Sequence, residues 1–164
     1  MNQYFTRLLL IQVVVCMFSC QPEHTAPLGS WTIDKINFIY PDTTYTLDTV
    51  YGGSFILSPE RYSIVYNPWN QQRKPFENLS NPTEEEIIHG FRTFAFNTGQ
   101  YFWKGDTLTC TPDFAKVPGF EGGEQVYVYK KDAATLTMFD ETYPGGEKPQ
   151  WYGKLQIELW LTRE

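Results

Sequence analysis

The residues that could do chemistry in this chain are few, and their spacing limits them further. His89 follows Glu85 by four positions, a spacing that sets an imidazole beside a carboxylate on a helix. A Ser-His-Asp or Cys-His device would have to use this imidazole, because the other histidine, His24, lies in a polar stretch near the N-terminus. His89 falls on the polar face of its segment, so the pair reads as a solvated surface contact and not as a catalytic base. Cys110 alternates with threonines in Thr107-Leu108-Thr109-Cys110-Thr111, the pattern of a small buried hydrophobe rather than a nucleophile. Asp34, Asp106, Asp113, Glu124 and Glu158 are candidate carboxylates, but no spacing pairs any two of them. A zinc site needs three or four Cys, His and carboxylate ligands, which these residues do not supply. The glycine pairs at 52–53, 122–123 and 145–146 lead into no helix, so they form no phosphate-binding loop. This reading assigns no catalytic residue, no metal and no cofactor.

The elements that must carry these residues are mostly strands. Aromatic residues make up 17% of the 164-residue chain, many in short runs with β-branched neighbours such as Val126-Tyr127-Val128-Tyr129, which suits half-buried pleated surfaces. Strand signals cover 31–39, 50–57, 61–67, 95–103, 106–113, 124–131, 134–140 and 152–162. Tight connections fall at Ser58-Pro59, Lys104-Gly105-Asp106 and Lys131-Asp132-Ala133. In the last strand Leu155, Ile157, Leu159 and Leu161 alternate with Lys154, Gln156, Glu158 and Thr162, so one face is buried and the other wet. The pattern predicts an all-β fold: an eight-stranded antiparallel barrel.

One helix interrupts the strands, between the third and the fourth. Asn81 before Pro82, or Thr83 three residues before Glu86, can cap it, and Glu84, Glu85 and Glu86 complement the positive end of its dipole. Ile87, Ile88 and Phe91, followed by Phe94 and Ala95, mark one apolar face. Two placements fit: the helix closes a barrel opening, or it covers a sheet edge.

The first twenty residues differ in kind. Arg7 precedes the apolar run Leu8–Phe18, too short to span a bilayer, and the run ends at Ser19-Cys20 before polar Gln21-Pro22-Glu23-His24. This segment resembles a bacterial lipoprotein signal. The resemblance implies cleavage after residue 19, acylation of Cys20 (palmitate among the attached chains), a tether over 20–28 and a folded domain over 29–164. It places the protein in the bacterial cell envelope, anchored to a membrane, the outer rather than the inner. Once Cys16 departs and Cys20 is acylated, Cys110 has no disulfide partner. The net charge of −6 and the lack of a basic cluster argue against nucleic-acid binding.

The folded part resembles lipocalins and, more closely, the lipocalin-like domain family. The residues that carry the likeness are Gly29 and Trp31, Tyr51-Gly52-Gly53-Ser54-Phe55, Thr83-Glu84-Glu85-Glu86, the Ala95–Tyr101 stretch, Gly122-Gly123-Glu124-Gln125-Val126, and Trp160 with Arg163. Trp160 stands three residues before Arg163 rather than the usual two. The resemblance implies that Gly29, Trp31 and Arg163 close one end of the barrel, with the guanidinium across the indole face.

An eight-stranded barrel is wide enough to fill its interior or to hold one small ligand. Candidate lining residues are Tyr62, Tyr66, Phe96, Tyr101, Trp103, Tyr127 and Tyr129, with Ile88 and Phe91 from the helix. The same rings could simply fill the barrel. Three functions are therefore open: binding of a small hydrophobic molecule, cyclase- or isomerase-type catalysis by a related barrel, and a filled interaction module. A cavity with a buried carboxylate or tyrosine hydroxyl favours catalysis, one without such a group favours binding, and a packed interior favours the third. The sequence sets no oligomeric state.

Overall fold

Residues 26–164 are described by a computed structural model; the signal segment, Cys20 and the tether up to Thr25 lie outside the described residues. Nine strands follow one another: β1 (Gly29–Ile39), β2 (Thr44–Leu47), β3 (Gly53–Leu57), β4 (Arg61–Tyr66), β5 (Ala95–Lys104), β6 (Thr107–Ala115), β7 (Glu124–Lys130), β8 (Thr135–Thr142) and β9 (Gln156–Arg163). A short helix, α1 (Glu84–Arg92), lies between β4 and β5. All the pairings are antiparallel, and β9 returns to β1, so the sheet closes. The N-terminal half of β1 pairs with β3 and its C-terminal half with β2 on the same side. β2 and β3 are thus two pieces of one barrel strand broken at residues 48–52, and the barrel has eight staves.

The fold class agrees with the sequence reading, and α1 does sit between the third and fourth staves. Several strand ends differ by one to four residues, and two differences are the largest. Residues 44–47 were not expected as strand, because Tyr45 and Thr46 precede a polar break that hides the pairing with β1. The last strand begins at Gln156 rather than 152, because Trp151–Lys154 are turned, with the Lys154 amide donating to the Trp151 carbonyl.

Alternation builds the core. Ile33, Ile36, Phe55, Leu57, Tyr62, Ile64, Leu108, Leu136, Leu159 and Leu161 all point inward and are buried. Each large apolar side chain so buried contributes roughly 1.5–3 kcal/mol. Three bulges shift the alternation by one residue, adding Asp34 in β1, Asp113 in β6 and Phe139 in β8 to the outer surface. In β5, Gly99 faces Pro112 across the second of these bulges. A Cβ on Gly99 would lie 2.1 Å from the Thr111 carbonyl oxygen and 2.7 Å from Pro112 Cα, so only glycine allows the two strands this close.

The two ends of the barrel differ. At one end the connections are the tight hairpins after β3, β5 and β7. Here the Arg163 guanidinium lies 5.7 Å from the centroid of the Trp31 ring, within cation–π reach, and Trp31 Nε1 donates to the Pro27 carbonyl at 3.1 Å. Gly29 enters at φ 137°, a conformation that side chains other than glycine's rarely adopt, with Arg163 Nε 3.7 Å from where its Cβ would be. The other end is the mouth. It is framed by the longer connections 67–94, 116–123 and 143–155.

Candidate functional site at the barrel mouth

Polar residues replace apolar ones as the barrel interior approaches the mouth. Asn97 of β5, Gln125 and Tyr127 of β7 and Glu141 of β8 all turn inward there, the first three buried and Glu141 half-buried. They form a continuous chain. Asn97 Nδ2 donates to Gln125 Oε1 at 3.0 Å, and the Tyr127 hydroxyl donates to the same oxygen at 2.9 Å. Gln125 Nε2 donates to Glu141 Oε2 at 2.6 Å. Loss of hydration pushes the Glu141 carboxyl above the ordinary carboxylate range, an effect partly offset by the Gln125 hydrogen bond. Burial likewise holds the Tyr127 phenol well above its usual value, and Tyr66 is pushed up to about 12 by burial and by the charge of Glu141.

A cleft of about 570 Å³ opens over this chain. Asn97, Gln125 and Glu141 form its polar floor, and Phe120, Tyr143 and Pro144 supply an apolar wall. The Phe120 and Tyr143 rings meet edge to face at 6.0 Å, which fixes the two loops against each other. Lys116 and Glu147 add one charge of each sign to the lining. An apolar wall above a few convergent polar groups is the usual composition of a small-molecule site. One group in it is unmatched: Asn97 Oδ1 is buried without a hydrogen-bond partner among the described residues.

The structure separates the candidate lining residues into four places. Phe96, Tyr66 and Tyr127 lie toward the mouth: Phe96 borders the cleft while its ring meets the exposed Phe114 ring edge to face at 6.0 Å, Tyr127 belongs to the polar chain, and Tyr66 carries the charge effect of Glu141. Tyr62 is part of the packed core, its hydroxyl buried without a partner among the described residues. Tyr101, Trp103 and Tyr129 are at the closed end. There Trp103 and Tyr129 meet edge to face at 6.2 Å, and the Tyr101 hydroxyl donates to the Ser58 carbonyl at 2.8 Å. Ile88 and Phe91, on α1, are 43% and 45% exposed, and Lys116 Nζ lies 4.6 Å from the centroid of the Phe91 ring.

The contacts of α1 bear on the two placements open for it: the preceding segment holds the helix, and its apolar face stays half-exposed. The capping box starts at Thr83, whose amide donates to Glu86 Oε2 at 2.7 Å while its hydroxyl accepts from the Glu86 amide. Gly90 then packs against Phe76, and Arg73 reaches the end of the helix, donating from Nε to Thr93 Oγ1 at 3.2 Å. The segment before the helix therefore holds it by the face carrying Gly90 and His89. His89 is correspondingly half-buried and lines a separate cleft with Phe76 and Glu86, its Nε2 shielded and unpartnered among the described residues. It is not the solvated partner of Glu85 that the i, i+4 spacing suggested.

Cys110 is fully buried in the core, and burial pushes its thiol up, away from nucleophilic use. The carboxylates considered from sequence face outward. Asp113 pairs with Arg61 at 2.7 Å, and Glu158 accepts from Asn37 and Trp160. Sequence reasoning missed Glu141, Asn97 and Gln125. Strict alternation from Leu136 and Met138 would send Asp140 inward, but the bulge at Phe139 sends Glu141 there instead. Asn97 and Gln125 do fall on the inward face of their strands, so a polar residue at a core position was the available signal.

No family model, curated protein or solved structure matches this chain.

Proposed function

We propose that this protein is a lipid-anchored, lipocalin-like protein of the bacterial cell envelope that binds a small, largely apolar molecule at the mouth of its barrel. The observation that carries the reading is the 570 Å³ cleft with an apolar wall over a buried polar floor. The closed barrel is a scaffold that supports such binding, and because its lower interior is packed with side chains the reading puts the ligand at the mouth and not inside the barrel. The lipocalin-like assignment rests on Gly29, Trp31, Arg163 and the other short motifs. The anchor rests on the apolar run that stops at Cys20.

The test is titration of the purified protein with the neutral fluorescent probe N-phenyl-1-naphthylamine, compared with Phe120→Ser. Removing that ring from the wall is expected to weaken binding several-fold while the β-rich circular dichroism persists. An unchanged affinity, or no binding by wild type, contradicts the reading.

A buried carboxyl near a phenol favours a second reading, cyclase- or isomerase-type catalysis, with Glu141 as proton donor. Binding is preferred because Glu141 Oε2 and the Tyr127 hydroxyl both engage Gln125, which ties them to the protein.

A further inference from the structure

The polar chain on the floor of the cleft has a direction, and the direction is set at one end. An ionised carboxylate can only accept, so Glu141 requires Gln125 to present its Nε2 amide hydrogens. The Gln125 carbonyl oxygen must then face the opposite way, where it accepts from Tyr127 and from Asn97 Nδ2. Asn97, having turned its amino group to Gln125, is left with Oδ1 as a buried acceptor that no described residue satisfies. Asn97 is 8% exposed and lines the cleft. An unmatched acceptor in such a place costs stability unless something donates to it.

Resting on the binding reading above, we infer that Asn97 Oδ1 selects the ligand, and that the ligand carries a hydrogen-bond donor, a hydroxyl or N–H, on an otherwise apolar body. Gln125 and Glu141 are positioning residues: they decide which end of the Asn97 amide meets the ligand. The relay is reversible. A proton on Glu141 lets that carboxyl donate to Gln125 Oε1. Both amides can then turn over: Gln125 Nε2 donates to the Tyr127 hydroxyl oxygen and to Asn97 Oδ1, the Tyr127 O–H gives up its Gln125 acceptor, and Asn97 Nδ2 faces the cleft. The site thereby changes from acceptor to donor as Glu141 takes up a proton. The groups that bear on Glu141 are Gln125 and Tyr127 from β7, Tyr66 from β4 and Tyr143 from the following loop, with Lys116 and Glu147 in the same cleft. The phenols stay neutral over the range in which a carboxyl titrates, so Glu141 is the titrating member of the hydrogen-bonded chain.

Indole and benzofuran test this directly, because they match in size and differ by one N–H donor. Binding is followed by ¹⁵N NMR of the whole purified protein, with cleft location read from the amide and side-chain NH₂ signals of Asn97 and Gln125. At neutral pH wild type is expected to bind indole about tenfold more tightly than benzofuran, the discrimination of one satisfied buried hydrogen bond. The preference should shrink as pH falls through the Glu141 titration. It should disappear in Asn97→Leu, and in Glu141→Gln it should no longer vary with pH. The free protein supplies a second readout: the Gln125 NH₂ signals should titrate with Glu141, and should not in Glu141→Gln. Equal affinity for the two probes with cleft shifts present overturns the inference and leaves the binding reading standing. A donor preference that survives Asn97→Leu also overturns it. Absence of cleft shifts with either probe removes the binding reading and the inference together.

Discussion

Trp31 and Arg163 are cross-strand partners between β1 and β9, so each helps define where the other sits. Trp31→Ala removes a buried indole from the closed end and should cost about 3–5 kcal/mol. Arg163→Ala should cost less, and the double variant should lose less than the sum, by about 0.5–2 kcal/mol, because one cation–π contact is counted in both single changes. Urea unfolding of the four proteins measures this, and strict additivity would show that the contact contributes nothing. At the mouth, Glu141 has the opposite character, a carboxyl whose folded pKa is raised by lost hydration. Its protonated form suits the fold better than its ionised form. Its favourable contribution is therefore complete below the ordinary carboxylate pKa and is lost as pH rises through the raised value. Melting temperatures of wild type and Glu141→Gln, compared across pH, should show the wild type losing ground toward neutral pH. A constant difference would mean that the carboxyl is as well hydrated folded as unfolded.

At the scale of elements, the hairpins and the alternating runs of β5, β7 and β9 were legible because each follows a two-residue period between turn residues. The bulged strands were not. A bulge adds one residue and inverts the period, and nothing in the types of Asp34, Asp113 or Phe139 announces it. One consequence follows for the site: Glu141 was hidden by the bulge in β8. The orientation of α1 was left open for a different reason. Periodicity identified an apolar face of Ile87, Ile88 and Phe91, but could not show that Phe76 and Arg73, from the preceding loop, take the Gly90 face instead. The closed end was better marked, since Gly29, Trp31 and Arg163 lie in short motifs at the two ends of the folded region. The bulge in β6 depends on Gly99, whose missing side chain lets β5 approach Thr111 and Pro112. Gly99→Ala must push these backbones apart and should lower stability by at least about 1–3 kcal/mol, as overpacking does elsewhere. A urea midpoint equal to that of wild type would show that the strands can separate at no cost.

For the whole molecule, the position of the first described residues relative to the mouth matters most. Trp31 Nε1 bonds to the Pro27 carbonyl at the closed end, while the cleft opens at the other. The described residues therefore begin at the end opposite the cleft. Cys20→Ser should release the protein into the soluble envelope fraction and abolish incorporation of a fatty-acid analogue, because several acyl chains hold a protein far more firmly than one. Membrane retention of that variant would remove the anchor from the account. The central claim, a small molecule held at the mouth, is tested most directly by native mass spectrometry of the protein purified from envelopes. The expected spectrum shows the acylated chain with an additional small mass that leaves on gentle collisional activation, and Phe120→Ser should carry much less of it. A wild-type spectrum containing only the acylated polypeptide, with nothing bound under conditions that preserve weak complexes, would contradict the claim.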